Sequence, residues 1–446
     1  MSLPHPLRTL LPAAALACAF VPAHAIDLSE AWRAALANDA NIRAARAAAD
    51  ARRERLPQSR AQLLPNISAS VSRNLNWLHS RQPALGRVLE DSERYTSASD
   101  TVQLRQPIFR MALWADYRQA HAIVDEANAN LEREHQNLVA KVGGAYLEAL
   151  LAADQLQLVD AQKAAYRTQL AAAQQRLAGG AGTRTDIDEA QARLDLALAQ
   201  ELELRQALDL ARRELQVLVE QPLGELARLD TAAMKLVAPQ PDRLDEWTAR
   251  AEANSPEIRA LTAQREAARF EIDKARAGHY PTVDGIVQIS RSDSDNPTRI
   301  DSQFDNKSVG LQVNIPIYSG GYVQSQIRQA NADWLRIGEA LEATRRDLGV
   351  RIHREFRGVT EGVAKVRALE QAVRSAEQLV KSSRMSFRAG ARTLVDVLNA
   401  EQQFATAQRD LAQARYVYLV SRVRLNALAG GERSAVLDEI NAWLKP

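Results

Sequence analysis

Ser308-Val309-Gly310-Leu311-Gln312-Val313-Asn314-Ile315-Pro316-Ile317 alternates small or polar side chains with aliphatic ones. Successive side chains of a strand point to opposite faces, so this segment presents one apolar and one polar face. A tilted strand needs about 9–11 residues to cross a bilayer. The pattern recurs in Asn66-Ile67-Ser68-Ala69-Ser70-Val71-Ser72-Arg73-Asn74-Leu75-Asn76-Trp77, where only Arg73 interrupts the apolar face. Thr101–Phe109 and Thr282–Ser290 carry weaker versions. Strands are expected at 66–78, 98–109, 282–290 and 305–317, with the polar stretches His79–Thr96 and Arg291–Lys307 as long external loops. Leu311 and Val313 are expected to face lipid and Gln312 the interior. Taken alone, the same runs fit surface strands of a soluble sandwich.

The remainder is helical. Met111–Leu177 and Gly321–Phe387 contain no proline. At 1.5 Å per residue, helices of about 65 residues run roughly 100 Å. Glycine and polar residues at 179–186 and 389–393 turn the chain into second helices at 186–219 and 394–429. Leu, Ala and Val recur at three-to-four spacing among Arg, Glu and Gln, as packed antiparallel helices require. Shorter helices are expected at Leu28–Asn38, Asn41–Gln62, Arg243–Asn254 and Pro256–Ala277.

The order of parts repeats. Arg60-Ala-Gln-Leu-Leu-Pro65 is echoed by Arg276-Ala-Gly-His-Tyr-Pro281, and Pro107-Ile-Phe109 by Pro316-Ile-Tyr318. Gly180, Asp186 and Ala190 recur as Gly390, Asp396 and Ala400, 210 positions on. Two units are expected, 26–230 and 231–446, each with short helices, two strands and two long helices. Four strands cannot close a barrel, and an open sheet does not survive in lipid. The chain must therefore associate: two copies make eight strands with a filled bore, three make twelve and a channel.

The 446 residues carry 57 Lys+Arg against 55 Asp+Glu, which excludes nucleic-acid binding through a general basic field. Met1–Ala25 reads as a secretory signal peptide, with Arg8 in the n-region, an apolar Thr9–Val21 and an Ala23-His24-Ala25 cleavage site. The single cysteine, Cys18, lies inside it. A lipoprotein reading of Cys18 is disfavoured, because Ala15 and not the usual Leu stands three residues before it. One cysteine excludes a disulfide framework and a Cys-based zinc site. His79, His121, His135, His279 and His353 show no metal-ligand spacing, and no Gly-x-Ser-x-Gly, phosphate loop or H-E-x-x-H is present. No enzyme, cofactor or metal is expected.

The two-fold repeat, Leu64-Pro65 and Tyr280-Pro281 before strands, Pro107-Ile-Phe109 with Trp114, and Ile315-Pro-Ile-Tyr-Ser-Gly-Gly321 resemble the TolC family of outer-membrane efflux proteins. The stretch Gly390-Ala-Arg-Thr-Leu-Val-Asp396-Val-Leu-Asn399-Ala400 is the most specific part of the likeness, which spans Ile26 to about Leu428. The resemblance implies a mixed α+β membrane protein. Three chains would form a twelve-stranded outer-membrane β-barrel continuing into a twelve-helix periplasmic α-barrel, girdled by the short helices as an equatorial domain. It implies an exit duct for a tripartite efflux pump or type I secretion system, with a periplasmic adaptor and an inner-membrane ABC or RND-type transporter as partners. The alternative is a periplasmic adaptor-type coiled-coil protein, which would have one hairpin and a compact β domain.

The resemblance also implies site residues. Thr185-Asp186 resembles the pair that ties neighbouring helical hairpins shut, and Arg392 its arginine partner. Phe387 stands where the family has a tyrosine, so one hydroxyl link is missing. Asp396 matches the first of two aspartates that form acidic rings, and Asn399 replaces the second. Gly180 and Gly390 fall at tips contacted by adaptor hairpins. Read without the resemblance, Asp186 and Arg392 are solvated helix-end charges, and Asp396 is an acid favoured by a helix N-terminus. Trp114, Tyr117, Tyr318 and Tyr322 suit a membrane-interface belt or plain packing.

Overall fold

The computed structural model describes residues 25–84, 86–296, 299–431 and 434–445. The expected signal peptide, with Cys18, lies outside the described residues except for Ala25. Three short helices open the described chain: α1 (Leu28–Asn38), α2 (Ala40–Arg53) and α3 (Arg55–Ala61). A hairpin of β1 (Asn66–Ala84) and β2 (Arg87–Phe109) leads into α4 (Met111–Ala178) and α5 (Arg184–Val219). After a two-residue strand β3 (Arg228–Leu229) come α6 (Leu244–Asn254) and α7 (Pro256–Arg276). A second hairpin, β4 (Thr282–Asn296) and β5 (Arg299–Asn314), precedes α8 (Tyr322–Arg388) and α9 (Leu394–Leu428). A short α10 (Ala435–Asn441) and β6 (Leu444–Lys445), which pairs with β3, were not expected from the sequence.

Three element bounds differ from expectation, each for a physical reason. The helix expected over 41–62 is broken at Glu54, because Pro57 has no N–H for the carbonyl of Arg53 and sits in the first turn of a new helix. The strand expected over 305–317 runs 299–314 instead; Pro316 cannot donate to a ladder, and the chain leaves the sheet before it. The described residues of the stretches expected as external loops are mostly hairpin ladder. His79 pairs with Ser92, and Ser292 with Phe304, so β1, β2 and β4 extend well past their expected ends. Polar cross-strand pairs hold these extensions, including His79–Ser92 at 2.8 Å, Asn76–Ser97 at 2.9 Å and the ion pair Arg81–Glu90.

The four long strands form one antiparallel sheet in the order β1-β2-β4-β5, leaving β1 and β5 as edges. Residues directly opposite share a face, so the register defines two surfaces. Ile67, Leu104, Val287 and Val309 lie in one row, and Ala69, Val102 and Ile289 in the next, which ends at Lys307. This apolar face is bare: Ile67 is 69% exposed, Val309 83% and Leu311 70%. It gives way to charge at Asp100, Arg291 and Asp305, where Arg73 binds Asp100 at 2.6 Å. The opposite face carries Ser68, Ser70, Gln103, Gln288 and Gln312.

The main core lies midway along the helices, where α1, α6 and α10 pack on α4, α8 and α9. Tyr146 and Tyr418 are fully buried, and each aromatic side chain so buried contributes roughly 1.5–3 kcal/mol. Their hydroxyls tie down connecting segments: Tyr146 donates to the carbonyls of Ile26 and Ala227 at 3.0 and 3.1 Å, and Tyr418 to that of Val237 at 3.0 Å. Tyr416 donates to Asp154 at 2.6 Å, joining α9 to α4; burial raises the Asp154 carboxyl above its ordinary range. Among the described residues no helix is long and apolar enough to cross a membrane.

Candidate functional site

Both helical hairpins end in the same local chemistry. At the end of α4, Gly180 adopts φ +75° and the N–H of Ala181 reaches the carbonyl of Arg176 at 2.9 Å. At the end of α8, Gly390 adopts φ +77° and the N–H of Ala391 reaches that of Ser386 at 2.9 Å. A left-handed residue closing a helix in this way is usually glycine, since it has no Cβ to strain the backbone. Three residues later the chain re-enters helix through matching caps. Thr183 Oγ1 accepts from the N–H of Asp186 at 3.2 Å, and Asp186 accepts from the N–H of Thr183 at 3.2 Å. Thr393 and Asp396 do likewise at 3.3 and 2.9 Å. Each pair satisfies two N–H groups that a helix start leaves open.

The cap settles the protonation of Asp396. The N–H and hydroxyl of Thr393 bond its Oδ2, holding the carboxyl below the usual carboxylate range. A depressed acid contributes its cap at all pH values above its ordinary titration, and loses it only as pH falls through the lowered value. Asp396 therefore carries a full negative charge at neutral pH, and it is exposed. Asn399, one turn on and also exposed, accepts from Arg193 Nη2 of α5 at 3.0 Å. Arg193 is itself held by Glu189 at 3.1 Å.

Asp186 and Arg392 are not joined within the chain. Asp186 is engaged in its cap, and Arg392 Nη1 donates to Ser383 Oγ, a fully buried hydroxyl, at 2.8 Å. Thr185 is exposed in the first turn of α5. What the fold does bring together is Asp186 and Phe387, which line one groove of about 470 Å³ between the two hairpins with Arg176, Arg384 and Arg388. The Arg176 guanidinium lies 4.1 Å from the centroid of the Phe387 ring, a cation–π contact. Sequence reasoning missed these three arginines, Arg193 and Ser383. Arg176 and Arg388 had a signal: basic residues in the last turn of a helix oppose its negative end. Arg193 and Ser383 had none, because their roles follow from packing.

Further up the hairpins, polar rungs cross between helices. Tyr166 donates to Gln402 at 2.9 Å, and Glu401 accepts from Arg384 at 2.8 Å and Gln169 at 3.1 Å. Lys163 of α4 binds Glu201 of α5 at 2.5 Å and Asp160 at 2.6 Å. The hydrogen bonds that Lys163 donates to Asp160 and Glu201 raise its pKa, the bond to Asp160 most, so the ammonium stays charged.

The model of the outer membrane efflux protein family matches residues 31–219 and 247–431. Among curated proteins, the chain is 33% identical to the proteases secretion protein PrtF of Dickeya chrysanthemi, covering 95% of this chain and 92% of that one. It is 34% identical to the alkaline protease secretion protein AprF of Pseudomonas aeruginosa, covering 95% and 87%. To the outer membrane protein TolC of Escherichia coli it is 29% identical, covering 94% and 85%. Among solved structures, the outer-membrane channel OprN superposes with a TM-score of 0.80 at 18% identity, over 91% of this chain and 90% of that chain. With this fold, and with the family model spanning both halves of the described helices and strands, the chain belongs to the outer membrane efflux protein family.

Proposed function

We propose that this chain is the outer-membrane exit duct of a type I secretion system, built from three copies. Its family is one of outer-membrane channels and not of enzymes, and conduction is passive, with energy supplied by the inner-membrane partner. The observation that carries the reading is the open sheet. Its edges β1 and β5 are unpaired and its apolar face is bare, and lipid offers no partner for unpaired backbone groups. Closure by further copies removes the edges. Three copies make twelve strands, wide enough to leave a bore, above twelve long helices that form the periplasmic tunnel. The units 26–230 and 231–446 then act as repeats, and their matching tips support this division.

At the inner end, the tips at Gly180 and Gly390 receive the periplasmic adaptor. Thr185, Asp186 and Arg392 hold neighbouring hairpins closed across chains, with Phe387 packed beside them and lacking the hydroxyl of tyrosine-bearing relatives. Asp396 forms a single acidic ring, because Asn399 adds no charge. The choice of type I secretion over drug efflux rests on PrtF and AprF, both protease secretion proteins and both more similar to this chain than TolC is. The partner is then an ABC-type transporter and the cargo an exported polypeptide such as a protease. The test is a gene deletion with the outer membrane fractionated in parallel. A heat-resistant trimer in that fraction, and loss of a secreted protease with unchanged drug sensitivity, are expected. A monomeric periplasmic product would overturn the duct. Drug hypersensitivity with normal secretion would overturn the type I assignment.

A further inference from the structure

The face of the sheet opposite the apolar rows is free of charge along most of its height. From Asn66 to Asn76 on β1, and on the residues paired with them across β2, β4 and β5, it carries Ser, Thr, Asn and Gln with an occasional Gly, Ile, Phe or Tyr. Among the described residues of these rows, the exceptions are Arg105 and Asp284 at the base, where the sheet meets the helices. Asp284 is buried. Its Oδ2 accepts from Arg105 Nε at 3.0 Å and Nη2 at 2.5 Å, and from Arg110 Nη2 at 2.5 Å. Its Oδ1 accepts from Arg110 Nε at 2.7 Å.

Two guanidiniums therefore share one carboxylate, which leaves one surplus positive charge per chain. Asp284 is 3% exposed at its side chain, whereas Arg105 is 46% and Arg110 29% exposed, so the acid is hidden and the cations are presented. Nη1 of each arginine makes no hydrogen bond among the described residues, leaving donors directed away from Asp284. A cluster needed only to clamp β2, β4 and α4 together would be satisfied by one arginine. The second adds a charge that the buried acid cannot cancel.

Resting on the trimeric reading above, we infer that Arg105 and Arg110 form a cationic collar at the base of the barrel that receives carboxylate-rich polypeptide in transit. Three copies bring about three surplus charges to one level of the bore. The uncharged lining beyond it lets an extended chain pass without fixed ion pairs, while a low-dielectric wall focuses the collar's field. A guanidinium fork with a spare edge suits carboxylates.

The test uses purified trimers in planar bilayers, with poly-L-glutamate added on the side the barrel faces. The wild type should be blocked from that side at low salt, and the block should weaken as salt rises. Arg105→Gln leaves Asp284 balanced by Arg110 alone; the half-blocking concentration should rise roughly tenfold, the loss of one charge-assisted contact. Arg105→Lys keeps the charge and should keep most of the block. An uncharged polymer of equal size should act alike on all three. Equal poly-glutamate block in wild type and Arg105→Gln, with both inserted as trimers, would overturn the collar and leave the duct standing. Trimers that conduct in no variant would overturn the duct itself, and the collar with it.

Discussion

Gly180 and Gly390 hold φ values of +75° and +77°, and a Cβ built at either meets nothing within 4 Å. Any side chain there costs about 1–2 kcal/mol of backbone strain and no clash. Asparagine tolerates the left-handed region best. The observed role of these positions, closing a helix, and the proposed one, receiving a partner, are therefore separable. Gly180→Asn and Gly390→Asn should keep the trimer and retain much of their export. Gly180→Trp and Gly390→Trp should also keep the trimer in the outer membrane but abolish secretion. Normal secretion by both tryptophan variants would place the docking surface elsewhere. The proposed closing residues also hold contacts inside their own chain. Arg392→Ser removes a bond to buried Ser383 and the proposed cross-chain contact with Asp186, whereas Asp186→Ala also removes the acceptor for the Thr183 N–H, half of the α5 capping box, at about 0.5–1.5 kcal/mol. Both should raise single-channel conductance and lower the melting temperature, Arg392→Ser by taking a partner from buried Ser383 and Asp186→Ala by weakening the α5 cap. Unchanged conductance in both would reject the closure.

At the scale of elements, what was legible in the sequence followed the hydrophobic pattern. The long helices end within one or two residues of expectation, and the proline-free runs of α4 and α8 stop at glycines whose conformation no other residue adopts as readily. The lower halves of the strands were legible because one face must be apolar. Their upper halves were less so: from the row of Asp100 and Arg291 upward, Arg73, Asp293 and Asp305 break the alternation that Leu75 and Trp77 continue on β1, while the ladder runs on. The break at Pro57 and the early end before Pro316 were visible in principle, but aliphatic neighbours at Leu56, Ile315 and Ile317 masked them. The site was partly legible. Asp186 and Asp396 stand three residues after threonines, a capping-box spacing, whereas Arg193 and Ser383 act through contacts that no local pattern announces. The register makes a direct test of the faces. Val309 lies on the apolar row, and Ser308 opposite Gln288 on the uncharged face. A lysine at mid-membrane on the lipid side of a barrel costs about 2–4 kcal/mol, and far less inside. Val309→Lys should reduce trimer insertion strongly and Ser308→Lys should not. Equal insertion of the two would reject the assignment of faces.

For the whole molecule, the electrostatics of the inner mouth depend on which acids remain free after each chain has satisfied its own contacts. Asp396 spends Oδ2 on its helix cap and stays charged, so in the proposed trimer three copies around a narrow bore would make a negative ring that should attract cations and trap multivalent ones. A relative with an acid at the next turn would carry a second ring. Restoring that acid here is not sufficient, because Asn399 lies 3.0 Å from Arg193 Nη2. An aspartate at 399 would pair with that guanidinium inside its own chain, and a paired charge contributes little to the field in the bore. Asp396→Asn should nearly remove block by a hexammine trivalent cation added on the periplasmic side of a planar bilayer. Asn399→Asp should deepen the block only slightly, whereas Asn399→Asp combined with Arg193→Gln should deepen it markedly, since the new carboxylate is then unpaired. High salt should erode all of these differences. A strong gain from Asn399→Asp alone would mean that Arg193 turns away from the bore in the trimer, and unchanged block in Asp396→Asn would move the acidic ring to another residue.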